Sequence, residues 1–172
     1  MLSILNEQIG FYRRINEKEK AIKAANEAIY IIEENNLNNS VGAATVYINV
    51  ATTMKAFDYA KESLYYFSRA EDVYNNNGKQ SDYEYAALLN NKAASLLDLE
   101  MYADAKSCYN KAVEILKKEG KHDGDKAISF VSLAQLVFLK DSSAYIEIEE
   151  YLDLAWDYLN APNLIRLRCL AQ

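Results

Sequence analysis

LLNNKAASLLDLEMYADAKSCYNKAVEIL, residues 88–116, decides the fold. Leu89, Ala93 and Leu96 recur at steps of three and four, and so do Ala105, Tyr109 and Ala112. Such steps fall on one stripe of an α-helix. A short break at Glu100-Met101 separates the stripes, so the segment reads as two antiparallel helices joined by a tight turn. The same design returns upstream in YINVATTMKAFDYAKESLYYFSRAEDVY, residues 47–74. There Tyr47, Val50, Ala51 and Met54 precede a break at Phe57-Asp58, and Ala60, Ser63, Leu64, Phe67 and Ala70 follow it. Over the whole chain Ala28, Ala70, Ala112 and Ala155 are spaced by 42, 42 and 43 residues, and Tyr12, Met54, Leu96 and Val137 by 42, 42 and 41. A period of this length means stacked supersecondary units, each burying its apolar face against its neighbours.

Composition agrees. Hydrophobic residues make up 51% of the 172, enough for one domain with a real core. Five Gly and one Pro supply too little turn chemistry for a many-stranded sandwich or barrel. A chain poor in breakers and rich in Ala, Leu, Glu and Lys reads as helical. The net charge of −6 argues against a phosphate-binding, nucleic-acid surface. No apolar run reaches the length of a membrane span, and the opening MLSILNEQIGFYRR has polar residues where a signal peptide is apolar. Cys108 and Cys169 are too few for a disulfide framework, which points to a reducing cytoplasm.

Punctuation repeats with the stripes. Asn16, Asp58, Glu100 and Asp141 stand just ahead of each second segment and read as N-caps or, for Glu100, as a charge suited to the helix dipole. Asn36, Gly78 and Gly120 are again 42 apart and read as left-handed stops. Ser81 and Glu84 have the spacing of a capping box. The recurring alanines are expected where a second helix packs on its own partner and on the first helix of the next unit.

These residues resemble the tetratricopeptide repeat (TPR). Its unit carries large apolar residues and a small one in the first helix, then Ala, an aromatic and Ala in the second. Leu89, Ala93, Leu96, Ala105, Tyr109 and Ala112 follow that pattern, with Lys92 in place of an apolar residue; so do Tyr47, Val50, Ala51, Met54, Phe67 and Ala70, with Ser63 replacing Ala. The first unit matches through Tyr12, Ala21 and Ala28, with Ile9 at the small position. The fourth matches through Leu133, Ala134, Val137, Leu152 and Ala155 with about two extra residues in its turn. The long period, and Asn49 and Asn91 in Asn-x-Ala contexts, look most like the lengthened repeats of kinesin light chains and bacterial signalling proteins.

The resemblance implies an all-α solenoid, a right-handed superhelix of about four helix-turn-helix units spanning 2–43, 44–85, 86–126 and 127–162. After Pro162, residues 163–172 read as the start of a fifth unit, an unpaired helix presenting Leu164, Leu167 and Leu170. A repeat array needs a polar cap, so the chain is expected to be a piece of a longer protein, or to cover that helix in a homodimer.

The resemblance also places the first helices along a concave, peptide-holding groove. Its lining would be Arg13 and Arg14; Ile48, Asn49, Thr52 and Lys55; Asn90, Asn91 and Ala94; Ser132, Gln135 and Phe138. Asn49 and Asn91, one repeat apart, either clamp the backbone of an extended ligand, as asparagines do there in relatives, or tie one repeat to the next. Ile128, Val131 and Phe138 would add an apolar patch. Ile48 and Thr52 stand where some relatives carry the set that grips a C-terminal carboxylate, so a chaperone tail is not the expected ligand.

Nothing points to catalysis, a metal or a cofactor. The lone His122 lies in the Gly120–Gly124 loop and reads as solvated; Cys108 falls in a helical stripe and reads as a buried, inert thiol. There is no phosphate loop, HExxH or nucleophile elbow. The acids from Glu147 to Asp157 read as the wet face of a helix, and the Tyr65-Tyr66 pair has no place in the stripe pattern. The expected function is a non-enzymatic scaffold or sensor domain of a bacterial cytoplasmic regulatory protein that binds a protein or peptide segment, without direct contact to nucleic acid or membrane. The alternative is a structural array that oligomerises through its open C-terminal face.

Overall fold

The computed structural model describes the backbone of residues 1–170 and the side chains of residues 1–160. Within them lie eight α-helices and no strand: α1 (Leu2–Arg14), α2 (Lys18–Glu34), α3 (Val41–Ala56), α4 (Ala60–Asn76), α5 (Tyr83–Asp98), α6 (Tyr102–Glu119), α7 (Asp123–Lys140) and α8 (Tyr145–Leu170). They pair in sequence into four hairpins, as the stripes require. Each second helix also packs on the first helix of the next unit, and α1, α3, α5 and α7 pack successively on one another. The backbones of α2, α4, α6 and α8 stay apart, and only side chains bridge them, as Lys106 of α6 does to Glu147 of α8 at 2.8 Å. First helices therefore lie on the inner side of the stack and second helices on the outer side. Ala28, Ala70, Ala112 and Ala155 are all buried between helices.

The turns correct one sequence expectation. Asn16, Asp58 and Glu100 are not N-caps; they adopt left-handed backbone, with φ of 58°, 67° and 58°. Each closes the helix before it. The N–H groups of Glu17, Tyr59 and Met101 donate to the carbonyls of Tyr12, Met54 and Leu96, each at 2.9 Å, in a Schellman-type closure. Asn and Asp suit both N-caps and left-handed positions, so residue type alone could not separate the roles. Asn36, Gly78 and Gly120 are left-handed as expected, at 53°, 65° and 68°. The Ser81–Glu84 box does not form; α5 starts after Asp82, whose carboxylate pairs with Lys79 at 3.0 Å. The hydroxyl of Ser40 instead caps α3, accepting from the Ala43 N–H at 3.1 Å.

The fourth turn departs from the others. Asp141 is extended, with φ −151°, and its carboxylate accepts from the N–H and hydroxyl of Ser143 at 2.9 and 2.6 Å. These two bonds lower the Asp141 pKa from its ordinary value. One added residue lengthens α7 and another lengthens the turn. At the far end α8 continues through Pro162 to Leu170, so the expected start of a new element at residue 163 is not an element boundary. The expectations for Leu164, Leu167 and Leu170 concern side chains outside the described residues.

Polar side chains stitch the outer layer. Tyr66 stacks on Tyr47 at 6.4 Å and meets Tyr65 edge-on at 5.0 Å, which gives the tyrosine pair its place. Arg69 donates to Tyr65 OH, Asn38 Oδ1 and Tyr47 OH at 2.9, 2.7 and 2.8 Å, pinning the α2–α3 connection. One unit on, Glu71 accepts from Lys92 at 2.6 Å and from Tyr85 OH at 3.0 Å, while Lys111 donates to the Tyr85 oxygen at 3.0 Å. This explains why a lysine occupies an otherwise apolar position.

Burial by itself would raise the Glu71 pKa, but hydrogen bonding and charge from Lys92, with help from Tyr85 and Lys111, leave it below the ordinary value. A folded-state value below the unfolded one adds stability above the usual Glu range, about 4.3, and loses it as pH falls through the folded value. Glu71→Gln should therefore flatten the stability profile between about pH 5 and pH 3. Urea midpoints across that range measure it; an unchanged slope in the variant contradicts the assignment.

Candidate functional site

The inner face is built by α1, α3, α5 and α7. At its α1 end Arg13 is half-buried, and its Nη1 is enclosed without a hydrogen-bond partner. Burial first, then the adjacent Arg14, lowers its pKa from the ordinary value. Arg14 is exposed and its Nη1 lies over Gly10, 3.5 Å from where a Cβ would stand. On α3, Ile48 is partly buried against the core and Thr52 Oγ1 donates to its carbonyl at 2.7 Å. Lys55 reaches across to Asp98 of α5 at 2.9 Å.

The asparagines divide. Asn49 Nδ2 donates to Asn6 Oδ1 at 2.8 Å, joining α3 to α1. Asn90 and Ser129 exchange hydrogen bonds at 2.9 and 3.1 Å, joining α5 to α7. Asn91 is exposed, and its amide turns back to the Ala87 carbonyl of its own helix at 3.0 Å. The geometry thus shows Asn49 as a tie between units, whereas Asn91 reaches no neighbouring unit. Sequence reading did not single out Asn6, although it lies 43 residues from its partner, close to the repeat length.

Ala94 and Ser132 are partly buried. Gln135 and Phe138 are exposed on α7. Ile128, Val131 and Leu139 are exposed on that helix as well. The inner face therefore changes character along its length. It is cationic at α1, polar and internally bonded at α3 and α5, and apolar at α7.

Elsewhere, His122 is not a free loop residue. It stacks on Tyr83 at 3.9 Å with 18° between the rings, and Tyr83 OH donates to Asp125 at 3.2 Å. Cys108 is half-buried, and burial raises its thiol pKa, which disfavours the reactive thiolate. Among the described residues, no group of three or more His, Cys, Asp and Glu is placed to hold a metal ion. No helix in the described residues is long and apolar enough to cross a membrane.

This arrangement defines a TPR-like helical-repeat protein, and solved structures share its fold. Similar structures include BtubC (BKLC) from P. vanneervenii, with TM-score 0.85 and 21% identity, covering 94% of this chain and 64% of that one. Another is a Podosopora anserina putative kinesin light chain with nearly identical TPR-like repeats, with TM-score 0.77 and 13% identity over 94% of this chain and 75% of that one. Among curated sequences, a clustered mitochondria protein homolog from Aspergillus clavatus is 25% identical over 133 residues, or 77% of this chain. The Aspergillus fumigatus homolog is 26% identical over 137 residues. The chain spans only 11% and 10% of those two proteins. No family model matches the chain.

Proposed function

We propose that the chain binds an extended protein segment along its inner face, with α7 supplying side-chain selectivity. The observation that carries this reading is the exposed run Ile128, Val131, Phe138 and Leu139 on a helix that faces the groove. Equivalent positions on α5 hold Ala87, Asn90, Leu97 and Asp98. Exposed apolar side chains grouped on one concave face mark an interaction site, and extended segments are read through such alternate pockets. Ties such as Asn6–Asn49 and Asn90–Ser129 hold the face in shape before a ligand arrives, which lowers the ordering cost of binding. The finer setting, a bacterial cytoplasmic regulator, is supported by the resemblance to lengthened bacterial signalling repeats.

A displayed peptide library selected on the full chain tests the reading. Phe138→Asp and Val131→Asp should each weaken selected peptides by about tenfold or more, and Asn91→Ala should weaken them if its amide also captures backbone. Both apolar positions are exposed, so the fold should be unaffected. Peptides bound equally by the parent and both aspartate variants, or no peptide enriched at all, contradict the proposal.

A further inference from the structure

Equivalent residues near the ends of the first helices form a row across the inner face: Arg13 of α1, Lys55 of α3, Leu97 of α5 and Phe138 of α7. The residues that follow them, Arg14, Ala56, Asp98 and Leu139, form a second row. Lys55 leans toward the next unit and meets Asp98 at 2.9 Å, so a side chain of the first row takes its partner from the second row one unit on. The corresponding residues of the last two units are Leu97 and Leu139, both apolar. Those of the first two are Arg13 and Ala56, where the cation is kept and the carboxylate is missing.

Arg13 shows the consequence. Its Nη1 is enclosed and has no hydrogen-bond partner among the described residues, and the charge acting on it is the like one of Arg14. A half-buried guanidinium in this state has given up water without gaining a counter-charge, and its planar fork matches a carboxylate. Ala56 is exposed and ends at Cβ, so the place of the missing acid stands open. The gap is set inside the chain and does not depend on what precedes α1. Lys55 has a unit on either side and still pairs with the following one; by the same register a unit ahead of α1 would meet Arg14.

We infer that Arg13 receives a side-chain carboxylate of the bound segment, with the apolar anchor of that segment on Phe138 at the other end of the row. The inference rests on the reading of the inner face as a peptide groove and adds the chemistry and spacing of the ligand. The Lys55–Asp98 pair between the two ends is already neutralised and selects neither sign. Packed helix axes lie about 8–10 Å apart and an extended chain advances about 3.3 Å per residue, so across three units the acid and the anchor stand about seven to nine residues apart.

A peptide library with both ends joined to its carrier is selected in parallel on the full chain, on Ala56→Asp and on Arg13→Gln. Ala56→Asp keeps the arginine and fills the gap from within; the site is exposed and, like Asp98, closes its helix, so the fold should hold. The parent should enrich Asp or Glu at the stated distance from an apolar residue. Both variants should keep the apolar enrichment and lose the acidic one. Exchanging the acid of a selected peptide for its amide should weaken binding to the parent about tenfold and leave binding to Ala56→Asp unchanged. Should Arg13→Gln fail to fold, Ala56→Asp decides. Apolar enrichment without an acid, or an acid retained on Ala56→Asp, overturns the inference and leaves the groove reading standing. No enrichment on any of the proteins overturns both. A second library with free C-termini tests the other source of a carboxylate, and an acidic preference confined to that library overturns the inference as well.

Discussion

Leu116→Ala is expected to remove about 2–5 kcal/mol of stability, the usual range for emptying a filled leucine site. Leu159→Ala, at the same register position one unit later, is expected to stay within about 0.5 kcal/mol of the parent. Leu116 belongs to the cluster that α5, α6 and their neighbours close around it, so its loss leaves a void lined by atoms that cannot follow it inward. Leu159 faces water, and truncating it opens no cavity. For a chain of this size each kcal/mol moves the melting midpoint by about 2–4 °C, so thermal melts at low concentration separate the two variants clearly. If the midpoints fall equally, the register that equates the two helices is wrong. Both substitutions change leucine to alanine in an outer-layer helix, so propensity and chemistry cancel in the comparison and only the presence of a following first helix differs.

The same register shows which parts of the molecule could be read in advance. The helices, their pairing and the buried alanines were legible because a 42-residue period repeats one steric demand three or four times, so chance matches average out. The turns were half legible. Left-handed backbone at Asn36, Gly78 and Gly120 follows from residue type, but Asn16 and Asp58 carry side chains equally suited to capping, and only the bond from Glu17 to Tyr12 shows which helix they serve. Glu100 has neither preference and is held left-handed by the turn around it. Lys92 looked like an error in the pattern until Glu71, 21 residues away, was seen to accept its hydrogen bond. The groove was least legible. Its positions follow from the helix face, but whether an amide there is free depends on a partner two helices distant. Asn49 is bonded to Asn6 and Asn91 is not bonded to any other unit, although both sit in the same local sequence.

Ala70→Leu is expected to destabilise by about 1–3 kcal/mol, the cost of forcing extra carbons into a packed site, whereas Lys61→Leu on the same helix should change stability by no more than about 0.5 kcal/mol. The alanine is fully buried within the cluster that includes Phe67, Val73, Tyr74, Tyr85 and Leu89. It sits on α4, which packs on both α3 and α5. A leucine there cannot turn to solvent, because helix geometry aims its side chain into the seam between units. Either α4 and α5 separate, or the leucine adopts a strained rotamer. Lys61, the second residue of α4, is exposed and adds only surface when replaced. Denaturant midpoints for the two variants decide the matter. The expected sign is also opposite to a simple hydrophobicity argument, under which adding a leucine to the interior would stabilise. A stabilised Ala70→Leu would mean the seam holds unfilled space, and the small residues recurring every 42 positions would then need a reason other than close approach of helices.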